Sequence, residues 1–193
     1  ANLNIVCTEQ EYYNMLEEDV NRYRDLFFKE RQLYQKTLWL QSGSKRKKWL
    51  NELKTETARK LLKHLDNKRV VVFAYTKEQI EALHDGSYVY SKFGKKKNEQ
   101  TISDFNELKT DKLFNLKVLN EGMNLNQIDA GIIVGIDGKP LSSIQRMGRV
   151  WRSNNPEVFF IKIPYTQDDK YFIELQQQIK QEFKIINESF YEN

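Results

Sequence analysis

The fold is decided by residues 130–152, which read AGIIVGIDGKPLSSIQRMGRVWR. The opening of this stretch, 130–136, is a continuous apolar run, which is typical of a strand buried on both faces of a parallel sheet. Its end, 142–152, places three arginines and a glutamine around one glycine and predicts a helix. A buried strand followed by a short turn and a helix is the repeating unit of an α/β fold.

The predicted helix gathers groups suited to an anion. Gln145, Arg149 and Arg152 fall on one helical face, whereas Arg146 points elsewhere. Guanidinium groups stay charged at physiological pH, and their forked donors match phosphate oxygens. Gly148 stands where a better helix former would gain about 1 kcal/mol, which indicates close approach of another backbone or of a ligand. A solvated basic helix is the alternative for this stretch taken alone.

Outward from this unit, strands and helices alternate along the chain. This alternation predicts a parallel sheet with helices on both faces. The further predicted strands are 70–75, 87–90, 116–119 and 158–163, and the further predicted helices are 76–83, 98–109 and a last helix capped by 166–169. Ahead of them we predict a long helix from about Glu9 that Gly43 closes, then a second helix over 44–65.

Polar and glycine-containing connections follow three of the predicted strands, at 91–97, 120–125 and 137–140. In parallel sheets ligands bind at the carboxyl ends of the strands. We therefore expect the chemistry of the chain to converge on that edge of the sheet.

Composition excludes several classes of protein. The 193 residues fit one domain, or one domain plus an extension, and 39% of them are hydrophobic. No apolar run approaches the ~20 residues that span a bilayer, so no membrane association is expected. The single cysteine, Cys7, excludes a disulfide framework and favours a cytoplasmic location. With two histidines and one cysteine, no metal site is predicted.

The net charge of +4 is unevenly distributed. Residues 1–41 hold five basic and seven acidic side chains, and residues 166–193 hold three basic and six acidic, so the centre of the chain carries +9. A basic centre between acidic ends is compatible with a polyanionic partner such as nucleic acid.

Four blocks, in this order, resemble the second, C-terminal RecA-like lobe of a superfamily 2 DEAD/DEAH-like helicase or translocase. Residues 70–76 resemble motif IV, and 98–109 resembles the helix that precedes the motif V loop. Residues 118–125 (VLNEGMNL) resemble motif V, and 145–152 (QRMGRVWR) match motif VI, Q-R-x-G-R-x-x-R, at every defined position. The resemblance implies a RecA-like, P-loop NTPase-type sheet over 45–193, after an N-terminal helical extension or inter-lobe connector over 1–44.

The resemblance implies a role at the nucleotide for each matching residue. Arg149 and Arg152 would be arginine fingers that reach the terminal phosphate of ATP, and Gln145 would position that phosphate or the attacking water. Such arginines raise phosphoryl-transfer rates by about 10³–10⁵-fold in related systems. The other implied nucleotide-binding residues are Gly122, Glu121, Asn124 and Gly148.

The resemblance also implies contacts with a nucleic-acid backbone, which bind without sequence preference and weaken with salt. The implied contacts are Thr76, Lys92, Lys95, Lys96, Lys97 and Lys117. A solvated loop tip is the alternative for the run 95–97. Many relatives carry Thr or Ser just before motif V, where this chain has Leu116 and Lys117, so Lys117 would make that contact ionically. Asn124 stands where Asp is common, which keeps an acceptor but weakens an ion pair.

The sequence holds neither a phosphate loop nor the acidic pair that such enzymes use for ATP and Mg²⁺. ATP and Mg²⁺ would therefore be bound mainly by an absent first lobe, and this chain alone is not expected to hydrolyse ATP. The expected partners are the N-terminal RecA-like lobe of the same parent protein and a nucleic acid, DNA rather than RNA. The alternative is a stand-alone, non-enzymatic module that binds nucleic acid or protein. An oxidoreductase is excluded because no glycine fingerprint follows the first strand.

Overall fold

A computed structural model describes residues 2–4, 33–83, 88–90, 92–116, 125–136, 140–150, 156–179 and 185–187. Seven strands and six helices lie within these ranges. The strands are β1 (Asn2–Asn4), β2 (Val70–Phe73), β3 (Tyr88–Tyr90), β4 (Lys112–Leu116), β5 (Ala130–Ile133), β6 (Glu157–Lys162) and β7 (Ile185–Asn187). The helices are α1 (Leu33–Leu53), α2 (Thr55–His64), α3 (Lys77–Leu83), α4 (Lys95–Asn106), α5 (Pro140–Val150) and α6 (Gln167–Gln178).

The strands form one sheet in the order β3-β4-β2-β5-β6-β1-β7, and every neighbouring pair is parallel. In the register, Val70 of β2 is paired with Lys112 of β4 on one side and with Ala130 of β5 on the other. The predicted parallel α/β sheet is therefore confirmed. The strands β1 and β7, which extend the sheet beyond β6, were not predicted.

The sheet has an apolar core on each face. Val70 and Val72 of β2 face a core that contains Leu61 of α2 and Ile80 of α3. Val71 and Phe73 face the opposite core, to which helices α4, α5 and α6 contribute. The α4, α5 and α6 residues in this core are Ile102, Phe105, Val150, Phe172 and Leu175. Helices thus cover both faces, as the continuous apolar strands indicated.

The first described helix does not end at Gly43. Helix α1 runs through Gly43 and Ser44 to Leu53, and Ser44 donates a hydrogen bond from Oγ to the carbonyl oxygen of Leu40. A glycine costs a helix about 1 kcal/mol, which the burial of Leu50 in the core exceeds. The predicted helix over 44–65 is instead divided at Lys54. The predicted helix start near Glu9 lies outside the described residues. The predicted boundary between the N-terminal extension and the domain, at residue 44, lies within α1.

Two other boundaries differ from the prediction. Strand β4 begins at Lys112 rather than at Leu116, because the register with β2 brings Leu113, Phe114 and Asn115 into the buried sheet. The rest of the predicted strand, 117–119, lies outside the described residues. The polar Asn115 hid this strand in the sequence pattern. Helix α4 begins at Lys95 rather than Asn98, so the run 95–97 forms the first helical turn and not a loop.

Candidate functional site

The first turn of α4 presents three lysines where β3 leads into the helix, at the carboxyl edge of the sheet. Lys95, Lys96 and Lys97 are exposed, and this turn contains no acidic residue. Cations at a helix N-terminus oppose the macrodipole, so helix stability does not explain them. Among the described residues, Lys95 lies 3.7 Å from Glu99, whereas Lys96 makes no ion pair.

Asn98, for which no role was predicted, fixes the turn that leads into these lysines. Its Oδ1 accepts a hydrogen bond from the backbone N–H of Tyr90 at 3.1 Å. Its Nδ2 donates to the carbonyl oxygens of Tyr90 at 2.9 Å and of Phe93 at 3.3 Å. The available signal was that Asn98 shares the inward helical face with Ile102 and Phe105, where a buried polar group requires partners.

Thr76 lies just beyond β2 at the same edge and caps helix α3. Its Oγ1 accepts a hydrogen bond from the backbone N–H of Gln79 at 3.1 Å, and its hydroxyl donates to the neighbouring carboxylate of Glu78. Gln79 is buried, accepts a hydrogen bond from the N–H of Tyr75 and donates to the carbonyl oxygen of Asn51 in α1. The position of Thr76 is therefore tied to α1.

The charge around Thr76 is largely compensated within the chain. Lys77 lies 2.6 Å from Glu81, and Lys48 of α1 lies 4.0 Å from Glu78. A hydrogen bond from its own backbone, together with Lys48, holds the pKa of Glu78 below its usual value, so this carboxylate stays charged beside Thr76. The first turn of α4 is therefore the more electropositive of the two predicted nucleic-acid contacts at this edge.

Helix α5 starts at the carboxyl edge and turns back along the sheet. Arg146 donates from Nη1 to the carbonyl oxygen of Gly135, 3.0 Å away, just beyond β5. Further along, a Cβ built on Gly131 would lie 2.5 Å from Cγ2 of Val150, so this glycine allows the helix to pack closely on β5. The expected convergence at the carboxyl edge thus applies to the start of α5, whereas its last turn lies beside the start of β5.

The exposed side of α5 carries Gln145, and Gly148 is half-buried. Among the described residues outside α5, no atom lies within 4 Å of a Cβ built on Gly148, so no described element of the fold packs closely against this glycine. Arg149 lies in the last turn of α5 and its side chain is not described. The predicted site residues Arg152, Lys117, Glu121, Gly122 and Asn124 lie outside the described residues.

Lys54, which the sequence analysis did not single out, joins α1 and α2 to the end of β5 and to α6. Its ammonium is fully buried and lies 2.6 Å from Oδ2 of Asp168 at the start of α6. It also donates to the carbonyl oxygen of Val134, 3.1 Å away, and to Oδ1 of Asn51 at 3.3 Å. The stretch Val134–Gly135 is therefore bound by Lys54 on one side and by Arg146 on the other.

The described residues contain no group of three His, Cys, Asp or Glu side chains placed to hold a metal ion. None of the described helices combines the length and the apolar character needed to cross a membrane.

Comparison with solved structures shows the fold. The chain is similar to S. cerevisiae Dbp5 bound to RNA and ADP BeF3, with a TM-score of 0.64 and 15% identity over 74% of this chain and 40% of that one. It is similar to the C-terminal domain of the DEAD-box protein Dbp5, with a TM-score of 0.60 and 16% identity over 71% of this chain and 91% of that one. It is also similar to E. coli SrmB bound to the regulator of ribonuclease activity A, with a TM-score of 0.57 and 16% identity over 68% and 84%.

The chain thus covers about 40% of the Dbp5 chain bound to RNA but most of the isolated Dbp5 C-terminal domain. No curated protein matches its sequence. The helicase conserved C-terminal domain family matches residues 53–154, more than half of the chain and a range that contains all of β2 to α5. The chain therefore belongs to the helicase conserved C-terminal domain family, and its fold is the RecA-like fold of the Dbp5 C-terminal domain.

Proposed function

We propose that this domain grips a nucleic-acid backbone along the carboxyl edge of its sheet as one half of an ATP-dependent helicase or translocase. The observation that carries the proposal is the first turn of α4, where three exposed lysines oppose the helix dipole. Lys92 is exposed in the preceding turn and, among the described residues, makes no ion pair. Thr76 and Lys117 would extend the same row of phosphate contacts.

The strand order supports a continuous contact surface. Strand β4 lies between β3, which leads into Lys92, and β2, which leads into Thr76. Neighbouring strands are about 4.8 Å apart, so the two contacts are separated by roughly 10 Å across this edge. Lys117 follows β4 directly and would lie between them.

Helix α5 would contribute to the hydrolysis of ATP held mainly by the other lobe. Arg146 is bound to the carbonyl oxygen of Gly135, which leaves Arg149 and Arg152 as the arginines for the terminal phosphate. Gln145 is exposed and, within the part of the chain that the structure describes, nothing fills the space above Gly148, as contact with a phosphate or water requires. Glu121, Gly122 and Asn124 would complete the nucleotide contacts. Mg²⁺ would be held with ATP by the other lobe and would neutralise charge on the phosphates.

The nucleic-acid grip is tested by replacing Lys95, Lys96 and Lys97 together with glutamine. We expect weaker binding of a fluorescent single-stranded nucleic acid. The slope of log K against log[salt] should also become less steep by about two to three, because each lost phosphate contact removes one released counterion. Lys63→Gln is the matched control, since Lys63 is exposed at the end of α2 on the opposite edge. Unchanged affinity in the triple variant would refute the grip.

The same titration carried out with matched DNA and RNA strands tests the expected preference for DNA. The preference stays a prediction, and tighter binding of RNA would reverse it. Titration of both strands also separates a backbone grip, which binds both, from recognition of the ribose 2′-hydroxyl.

The arginine fingers are tested in the assembly with a matching first lobe. Arg152→Ala is expected to lower ATP turnover by about 10³-fold or more while leaving strand binding unchanged, because the fingers stabilise only charge in the transition state. Arg59→Ala removes a surface arginine of α2 and serves as the control. Full turnover after removal of both Arg149 and Arg152 would show that the fingers are elsewhere.

A further inference from the structure

Three aromatic rings meet where β3 leads into α4. The ring of Phe93 lies 5.0 Å from that of Tyr88 and 5.6 Å from that of Tyr90, measured between centroids. The interplanar angles are 52° and 79°, so neither tyrosine ring is stacked parallel to the ring of Phe93. We call these three side chains the aromatic corner.

The face of Phe93 is covered by a removable group. The ammonium of Lys97 lies 3.8 Å from the ring centroid, and Lys97 is exposed. An exposed cation–π contact is weaker than the stacking of a nucleobase on an aromatic ring. A base could therefore displace the ammonium, which would remain close enough to bind the adjoining phosphate.

The aromatic corner is held in place before any ligand binds. The N–H of Phe93 donates to the carbonyl oxygen of Tyr90 at 2.9 Å. Asn98, which is 5% exposed, binds the N–H and carbonyl of Tyr90 and the carbonyl of Phe93. Little backbone freedom would be lost when a base stacks there, which favours binding.

We propose that Phe93 is a stacking site for one base of a single-stranded nucleic acid, with Lys97 moving from the ring to the neighbouring phosphate. The proposal rests on the proposed function, because the exposed lysines of α4 would bring the strand to this place. A paired base inside a duplex has both faces covered, so the site selects single strands. It adds a contact with the base to a surface that otherwise contacts only phosphates.

Two probes of equal length separate base stacking from phosphate contact. One is a fluorescent oligothymidylate, and the other is the same sugar-phosphate backbone with the bases removed. With the 193-residue chain, fluorescence anisotropy at low salt should show oligothymidylate bound about tenfold more tightly than the abasic strand, as expected for one stacked base. This comparison needs no variant and therefore does not depend on whether a substitution disturbs folding.

Variants then assign the effect to the ring. Phe93→Leu should lower affinity for oligothymidylate about tenfold and leave the abasic strand unchanged, whereas Phe93→Tyr should retain both affinities. Lys96→Gln should weaken both strands equally, since it removes only a phosphate contact. Equal binding of the two strands by the unaltered chain, or an unaltered preference in Phe93→Leu, would overturn the stacking site while leaving the phosphate grip intact. Failure to bind either strand would overturn the grip as well.

Discussion

The two ends of α4 carry the same residue type in opposite surroundings. Beyond its C-terminal end, Nζ of Lys109 lies 2.8 Å from a carboxylate oxygen of Glu107 and 3.1 Å from one of Asp104. A cation at this end also complements the helix dipole. In the first turn, Lys96 opposes the dipole and, among the described residues, has no carboxylate partner. Lys109 therefore stabilises the helix, whereas Lys96 does not.

The difference separates cations that the fold uses from cations that the fold leaves available. Lys54 and Lys112 belong to the first class, since each binds several groups of the chain. Lys92 and Lys96 belong to the second class and lie at the carboxyl edge. If this division is correct, substitution in the first class changes stability, and substitution in the second class changes nucleic-acid binding.

The largest loss of stability is expected for Lys54→Met. The substitution leaves the buried carboxylate of Asp168 without its cation, and breaking such a pair costs about 3–5 kcal/mol. Urea unfolding at low temperature measures the change in the free energy of unfolding. Lys54→Met combined with Asp168→Asn should recover part of the loss, because no unpaired charge remains buried. A loss below about 1 kcal/mol in the single variant would contradict the role of Lys54.

A smaller loss is expected for Lys112→Met at the opposite edge of the sheet. The Lys112 ammonium donates to the carbonyl oxygens of Leu65, Asp66 and Lys68 at 3.0, 2.7 and 2.5 Å. Methionine removes these bonds, at a cost of about 1–3 kcal/mol. Binding of single-stranded nucleic acid, measured by fluorescence anisotropy, should stay unchanged. Weaker binding of the nucleic acid with unchanged stability would show that Lys112 belongs to the second class.

The sequence predicted those elements of the fold that have a local sequence pattern. Buried strands appear as apolar runs, so β2, β5 and β6 were found close to their observed positions. The Thr166 cap of α6 was also predicted, and its side chain accepts a hydrogen bond from the N–H of Asp168. Boundaries set by tertiary contacts were missed. Helix α1 passes Gly43 because core packing outweighs local propensity, and β4 begins before its predicted start because sheet pairing buries Asn115.

The candidate site was predictable as a set of residue types but not as a set of contacts. The sequence identified Lys95, Lys96 and Lys97, and the structure adds that they form a helical turn rather than a loop. The roles of Asn98 and Lys54 were not predicted, since their partners lie on other elements of the fold. Contacts between residues as distant in sequence as Lys54 and Val134 leave no local pattern.

The same charge reversal made at each end of α4 should have opposite effects on stability, which tests the comparison directly. Lys96→Glu places an anion at the helix N-terminus and should raise the free energy of unfolding by about 0.3–1 kcal/mol while weakening strand binding. Lys109→Glu should lower stability and leave strand binding unchanged. Urea unfolding and anisotropy on the same samples measure both quantities. Loss of stability in both variants would show that the dipole does not distinguish the two ends.

The smallest expected effect is a dependence of stability on acid pH at the C-terminal end of α4. A hydrogen bond from Gln100, followed by one from Lys109, lowers the pKa of Asp104 from its usual 3.8, and Lys109 lowers the pKa of Glu107 from 4.5. A carboxylate with a lowered pKa stabilises the fold above its unfolded value, and the contribution is lost as pH falls through the folded value. The urea midpoint should therefore fall below pH 4.5, and less so in Lys109→Met, where the carboxylates have lost this partner. Because Glu107 is exposed and Asp104 is only partly buried, the difference between the two proteins should be small and should shrink further with added salt. Identical dependence of the urea midpoint on pH in the two proteins would mean that Lys109 does not lower the pKa of these carboxylates.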